Sequence, residues 1–206
     1  MRRSQIREVH FIAPHANVAS ILEHGVLSHQ LVHQIAPGHT RIGDPEIQQR
    51  RAARPVWTGS ARRPLLSYAN LYVHARNAML YKLLDGEEEL TVLAVDSRVL
   101  DMPGVMVTDR NAAAFTSKAL PAHEGLAALE PAAVLATSWK RSDPYEELEA
   151  KQRRMAEVLV PDRVPADLVR HAYVPDQQAA ARLRSRLGDR RLDIRLKASL
   201  FFRDLR

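Results

Sequence analysis

The chain has 206 residues, 46% hydrophobic and 26% charged, which excludes wholesale disorder and suits one domain with a sizeable core. It has no cysteine, so disulfides, zinc–thiolate sites, iron–sulfur clusters and a Cys nucleophile are excluded, and a reducing cytoplasm is the expected setting. Lysine and arginine number 30 against 24 acidic residues, a net +6 in which arginine dominates; no apolar run approaches the roughly 20 residues that span a bilayer, and no signal peptide or membrane partner is expected.

Residues 7–13 ("REVHFIA") predict a strand, and 17–25 ("NVASILEHG") a short helix with Asn17 as cap and Gly25 as terminator. Residues 28–43 lack periodicity and predict a loop. Asp44, Pro45 and Glu46 are a strong helix start for 44–53. The stretch 65–75 is apolar and aromatic, and 76–84 is helix-like. Residues 90–96 and 104–108 are β-branched and predict buried strands. A second Asp-Pro-acid start opens a helix over 143–155, followed by strands at 157–161 and 168–174, a helix at 176–187 and a strand at 192–197. Strands and helices mix without regular βαβ alternation, so the expected class is α+β in a single domain, 1–206.

No glycine-rich phosphate loop, HExxH or GxSxG elbow is present. His29, His33 and His39 have a spacing that mimics a metal site, but no carboxylate or thiol completes it, and no metal is expected. What remains is Glu157 at the mouth of an apolar strand, the Arg50-Arg51 pair, the aromatic segment Tyr68–Tyr81, and arginine clusters at Arg50, Arg51 and Arg54, at Arg62 and Arg63, and at 182–191. Each has a plainer reading alone: an edge carboxylate in water, a surface arginine, ordinary core aromatics. A basic surface is what a nucleic-acid backbone recruits, and arginine-rich solvated helices would give the same count.

In order, "NVASILEHGVLSH" (17–29), "IQQRR" (47–51), "SYANLYVHARNAMLY" (67–81), "VMVTDRNAA" (105–113) and "AEVLVPDRVP" (156–165) resemble the DarT family of DNA ADP-ribosyltransferase toxins over most of the chain. The resemblance implies an α+β ADP-ribosyltransferase core of two small sheets flanked by helices, with NAD as co-substrate in the cleft between them. It carries the family's catalytic glutamate, in A-E-[VF]-L-V, onto Glu157, and its catalytic arginine, closing I-Q-x-x-R, onto Arg51. It implies NAD contacts from His10, Phe11, Ile12, Asn17, Ser20, Tyr68, Tyr72, Arg76, Met79 and Tyr81. With DNA as acceptor, the arginine clusters suggest backbone contacts from Arg50, Arg54, Arg62 and Arg63. The implied partners are single-stranded DNA and an antitoxin that removes ADP-ribose. Chemistry suits these roles: a carboxylate can hold a ribose hydroxyl, stabilise positive charge developing at the anomeric carbon and take a proton; a planar guanidinium can orient it bidentately.

Two departures stand out. Where many members read Y-H-I-T-H, this chain reads His10-Phe11-Ile12-Ala13-Pro14, and the proline-rich pattern of other members is replaced by "YANLYVHARNAMLY". The second departure places the chain nearer the branch implied to modify guanosine than the thymidine-modifying one. Met155 stands two residues before Glu157, so the E-x-E pattern of arginine-modifying relatives is absent. An acceptor in RNA or protein, or a non-catalytic nucleic-acid-binding module, are the alternatives.

Overall fold

A computed structural model describes residues 1–84 and 89–204. In chain order the strands are β1 (Glu8–Pro14), β2 (Val26–Leu27), β3 (Pro55–Thr58), β4 (Ala61–Pro64), β5 (Tyr68–Tyr72), β6 (Leu90–Asp96), β7 (Met106–Thr108), β8 (Ala119–Pro121), β9 (Glu157–Pro161), β10 (Arg163–Val164), β11 (Val169–Val174) and β12 (Asp193–Leu196). The helices are α1 (His15–His24), α2 (His29–Ile35), α3 (Pro45–Ala52), α4 (Ala78–Leu83), α5 (Ala122–Ala128), α6 (Pro131–Val134), α7 (Pro144–Arg153) and α8 (Gln177–Leu187). The mixed α+β class is as expected. Among the described residues no helix is long and apolar enough to cross a membrane.

Eight strands form one sheet in the order β12-β11-β6-β1-β5-β9-β7-β8. Two small sheets were expected, and their outlines persist as two four-stranded halves. β1 pairs with β6 along its whole length, Glu8 opposite Asp96 through Pro14 opposite Leu90. Across the middle, β1 meets β5 at one residue pair, His10 opposite Tyr72. Beyond that seam β5 and β9 are again fully paired, with Tyr72 opposite Glu157. At that seam few ladder hydrogen bonds hold the two halves together.

Strand alternation sends Val9, Ala13, Leu71, Val73, Val158 and Val160 to one face. There they pack on Val18 and Ile21 of α1 and on Ala179, Ala180, Leu183 and Leu187 of α8. Truncating one such fully buried leucine, Leu183, would cost about 2–5 kcal/mol. Ile12 and Tyr72 point to the opposite face, with Trp139 and the C-terminal Leu200–Phe202. Both Asp-Pro helix starts behave as expected: Asp44 accepts from the amides of Glu46 and Ile47, and Asp143 from those of Tyr145 and Glu146.

Two local expectations change and a third holds. α1 begins at His15, and the Asn17 side chain, expected as its cap, clasps Thr40 instead, donating to its carbonyl and accepting from its amide at 2.8 Å each. Residues 28–43 are not all loop: α2 forms behind Ser28, whose hydroxyl accepts from Leu31 N at 3.2 Å. Its apolar residues, Leu31, Val32 and Ile35, are only half-buried and span little more than one turn, too short a window for a helical period to be read. Gly25 terminates α1 at φ +82°, where a Cβ would stand 2.0 Å from the Val164 carbonyl oxygen, so only glycine fits.

Candidate active site

Glu157 opens β9 and is fully buried, an unusual place for a carboxylate. Three groups explain it. Arg51 of α3, 5% exposed, places Nη1 3.1 Å from both carboxylate oxygens and Nη2 3.1 Å from Oε2. Ala112 N donates to Oε1 at 3.0 Å. On the backbone side, Glu157 N donates to Thr108 Oγ1 at 3.0 Å, which fixes the start of the strand. The carboxylate is thus neutralised by a planar fork and aimed by one peptide amide, the geometry in which a buried charge is tolerable.

α3 presents Arg51 inward and Arg50 to solvent, as the ~100° between neighbouring helical residues requires. The Ala112 amide comes from the loop after β7. Arg54 holds that loop by donating to the carbonyls of Ala114, Phe115 and Ser117. Arg54, expected on DNA, therefore spends its guanidinium on the wall of the site. Arg63 donates to Ser67 Oγ at 2.7 Å, pairs with Asp162 and lies over the Tyr68 ring at 5.1 Å. Arg62 stays exposed.

Tyr72 lies opposite Glu157 in the sheet, and its hydroxyl is 2.9 Å from Met79 Sδ. Burial first, and the Glu157 charge second, push its phenol well above the ordinary tyrosine value. His10 lies opposite Tyr72 at the seam; its Nε2 meets Glu8 Oε1 at 3.2 Å, and its buried Nδ1 has no partner. Glu8 also accepts from the Tyr173 hydroxyl at 2.9 Å. The His10 hydrogen bond, with help from Tyr173 and against burial, holds its carboxyl at about 2. Beside them His74 is held neutral, at about 3, by burial first and the Arg154 charge second.

Glu157, Arg51, Tyr72, Met79, His10 and Ile12 thus gather on one face of the seam. Other expected contacts are placed differently. Phe11 packs with the core behind the sheet. Asn17 is spent on Thr40, while Ser20 lies half-buried on α1. Tyr68 is buried in a third small cluster with Val56, Met106 and Leu159. Arg76 pairs with Asp204 at 2.6 Å and stacks on Phe202 at 4.4 Å, anchoring the C-terminal segment. Tyr81 packs edge-on against Trp139 and Phe202. Thr108 and Ala112 hold Glu157 yet were not singled out, because one acts through a hydroxyl on the backbone and the other through its peptide N–H, which every residue but proline carries.

The sequence model of the family described as "ssDNA thymidine ADP-ribosyltransferase, DarT" matches residues 10–202. The chain belongs to the DarT family. Among DarT relatives, a DNA ADP-ribosyl transferase–DNA ADP-ribosyl glycohydrolase fusion protein of Thermosipho africanus (strain H17ap60334) is 30% identical over 201 residues, 96% of this chain. The chain spans 50% of that fusion protein. Thermosipho africanus DarTG in complex with ADP-ribose superposes with a TM-score of 0.80 at 27% identity, covering 95% of this chain and 51% of that one. Thermus sp. 2.9 DarT shares the fold: its complex with ADP-ribosylated ssDNA gives a TM-score of 0.77 at 23% identity over 95% and 96% of the two chains. Its complex with NAD+ gives 0.74 at 21% over 95% and 98%.

Proposed function

We propose that this DarT-family chain transfers ADP-ribose from NAD to a base of single-stranded DNA. The observation that carries the reading is the fully buried Glu157 held bidentately by Arg51 at the seam of the sheet. The residues at and beside the seam fit a nicotinamide dinucleotide: His10 Nδ1 is buried at the seam without a partner, and Arg154 Nη1, a guanidinium donor beside the turn after β5, is likewise buried with none. Ile12, Tyr72 and Met79 supply apolar surface beside them. When bound, NAD supplies an ADP-ribosyl group whose bond to nicotinamide breaks, the electron pair leaving on a neutral amide, as a bond to the base nitrogen forms. Glu157 holds a ribose hydroxyl, stabilises the developing positive charge and takes the proton displaced from the base. Arg51 fixes the orientation of that carboxylate, and the Ala112 amide leaves one oxygen less free to turn.

For the acceptor base we favour guanosine, on the departure of "YANLYVHARNAMLY" from the proline-rich pattern, against the thymidine of the family description. The chain would act as the toxin of a pair whose antitoxin removes ADP-ribose; in the Thermosipho africanus relative a glycohydrolase is fused to the transferase. The test is incubation of the wild type and Glu157→Gln with NAD and two single-stranded oligonucleotides, one with guanine and no thymine, the other the reverse, read by mass spectrometry. An ADP-ribosyl adduct on the guanine oligonucleotide, absent with Glu157→Gln, is expected. An adduct on thymine alone overturns the base. Modification of RNA or protein in place of both oligonucleotides overturns the substrate class.

A further inference from the structure

Two aromatic rings stand in solvent beside the residues that hold Glu157: Trp57 is 57% exposed and Phe115 is 98% exposed. Trp57 lies in β3 six residues after Arg51, and Phe115 three residues after Ala112. Chain length alone limits their Cα atoms to about 21 Å and about 11 Å from those anchors. The two supports are tied together, since Arg54, three residues before Trp57, donates to the carbonyls of Ala114, Phe115 and Ser117. β3 also lies against β8, just past the Phe115 loop.

Neither ring is exposed by accident of a loose segment. In the β3–β4 hairpin Val56 faces the core with Tyr68, Met106 and Leu159, so alternation turns Trp57 outward. Its cross-strand partner is the exposed Arg62. The Phe115 loop is closed by Asp109 N to the Lys118 carbonyl at 3.2 Å and Lys118 N to Asp109 Oδ1 at 2.8 Å, with turns at 111–114 and 114–117 between. A hydrogen-bonded loop carrying a bare phenylalanine, tied through Arg54 to the hairpin that carries a tryptophan–arginine pair, has the composition of a single-strand platform: rings for bases, a guanidinium for phosphate.

We infer that Trp57 and Phe115 are a stacking platform for the bases flanking the acceptor nucleotide, with Arg62 on the intervening phosphate. The inference rests on the DNA-transferase reading above. Stacking needs an unpaired strand and accepts any base, so the platform positions the strand over Glu157 and leaves base choice to the pocket.

Trp57 provides its own probe, because the second tryptophan, Trp139, is 8% exposed and packed against Tyr81 and Phe202. A mixed-sequence single-stranded 20-mer titrated into the Glu157→Gln protein is expected to quench tryptophan fluorescence saturably. Trp57→Phe keeps a ring and is expected to bind with near-unchanged affinity while losing the quench. Trp57→Ala and Phe115→Ala are each expected to weaken binding by about 5- to 150-fold, the range for one lost stack, with NAD affinity unchanged. Absence of quenching at saturating oligonucleotide, or wild-type affinity in both alanine variants, overturns the platform; the second result assigns the rings to a protein contact. Wild-type transfer to the same 20-mer, measured in parallel, separates the two ideas. A wild type that modifies DNA with both alanine variants at unchanged KM sinks the platform alone, and a wild type that neither binds nor modifies DNA sinks both.

Discussion

At the scale of single residues the decisive fact is that Glu157 and Arg51 are buried together. An edge carboxylate in water, the plainer reading of a strand mouth, would cost the fold little to remove, but Glu157 is fully buried. Removing one partner of a buried ion pair leaves an uncompensated charge, at a cost of about 3–5 kcal/mol. Glu157→Ala should therefore lose activity and also lower Tm, by roughly 10 °C in a chain of this size. Glu157→Gln keeps the volume and an oxygen for the Ala112 amide; it should retain more of the stability while losing about 10²- to 10⁴-fold in kcat. Calorimetry beside single-turnover rates on both variants checks this, and a Gln variant with wild-type turnover would remove Glu157 from the chemistry. Arg51→Ala should resemble Glu157→Ala in both readouts, whereas Arg50→Ala, exposed on the other side of α3, should change DNA affinity and little else. Equal kinetic losses from the two arginines would refute the division.

At the scale of elements, legibility followed burial. β6 and β9 were readable because they sit between other strands and carry unbroken apolar runs. The β3–β4 hairpin and α2 were not, since β4 reads Ala-Arg-Arg-Pro and the apolar residues of α2, Leu31, Val32 and Ile35, cover little more than one turn, so neither leaves a long periodic trace. The same contrast divides the site: the strand around Glu157 could be read, but the loop that aims it is held by Arg54 through backbone carbonyls, which no pattern records. Arg54→Ala should loosen that loop and lower kcat by about 10- to 100-fold. The slope of log affinity against log salt should not change, whereas loss of a phosphate contact would flatten it by about 0.7. A second element-level test concerns the turn after β5, where Arg76 N donates to His74 Nδ1 at 3.1 Å, a bond that needs the unprotonated nitrogen. His74 is held at about 3 when folded and titrates near 6.5 when unfolded, so below about pH 6.5 the unfolded chain gains a proton that the folded one refuses. Its contribution is complete above that value and is lost as the pH falls toward 3. His74→Asn, which keeps an acceptor and cannot titrate, should flatten the fall of Tm between pH 6.5 and 4; parallel wild-type and variant curves would show that the ring charges without cost.

Across the whole molecule the basic residues behind the net charge of +6 stand on both faces of the sheet. α8 packs behind the sheet with α1, Val158 and Val160, whereas Glu157, one residue before Val158, points to the other side. The arginine cluster at 182–191 therefore rides on the face away from the site, and acids already engage much of it: Arg182 and Arg186 pair with Glu89, and Arg190 with Glu23. Composition reported this cluster and the one near Arg50 and Arg62 as equivalent, because counting charges cannot distinguish the faces of a sheet. Their positions predict different roles. A single strand reaching Glu157 would run past Arg50 and Arg62, and each phosphate neutralised there adds about −0.7 to the slope of log affinity against log salt. Arg50→Ala and Arg62→Ala should each flatten the slope by about that amount, and Arg184→Ala and Arg191→Ala, exposed behind the sheet, should leave it unchanged. Modification itself should prefer a single strand to the duplex of the same sequence, since flipping a paired base costs a few kcal/mol more, on the order of 100-fold in rate. Rates on both substrates from low to high salt, with all four variants, measure the two effects together. Equal rates on single and double strands, or flattening by the α8 variants alone, would move the DNA path to the other face of the protein or remove DNA as its substrate.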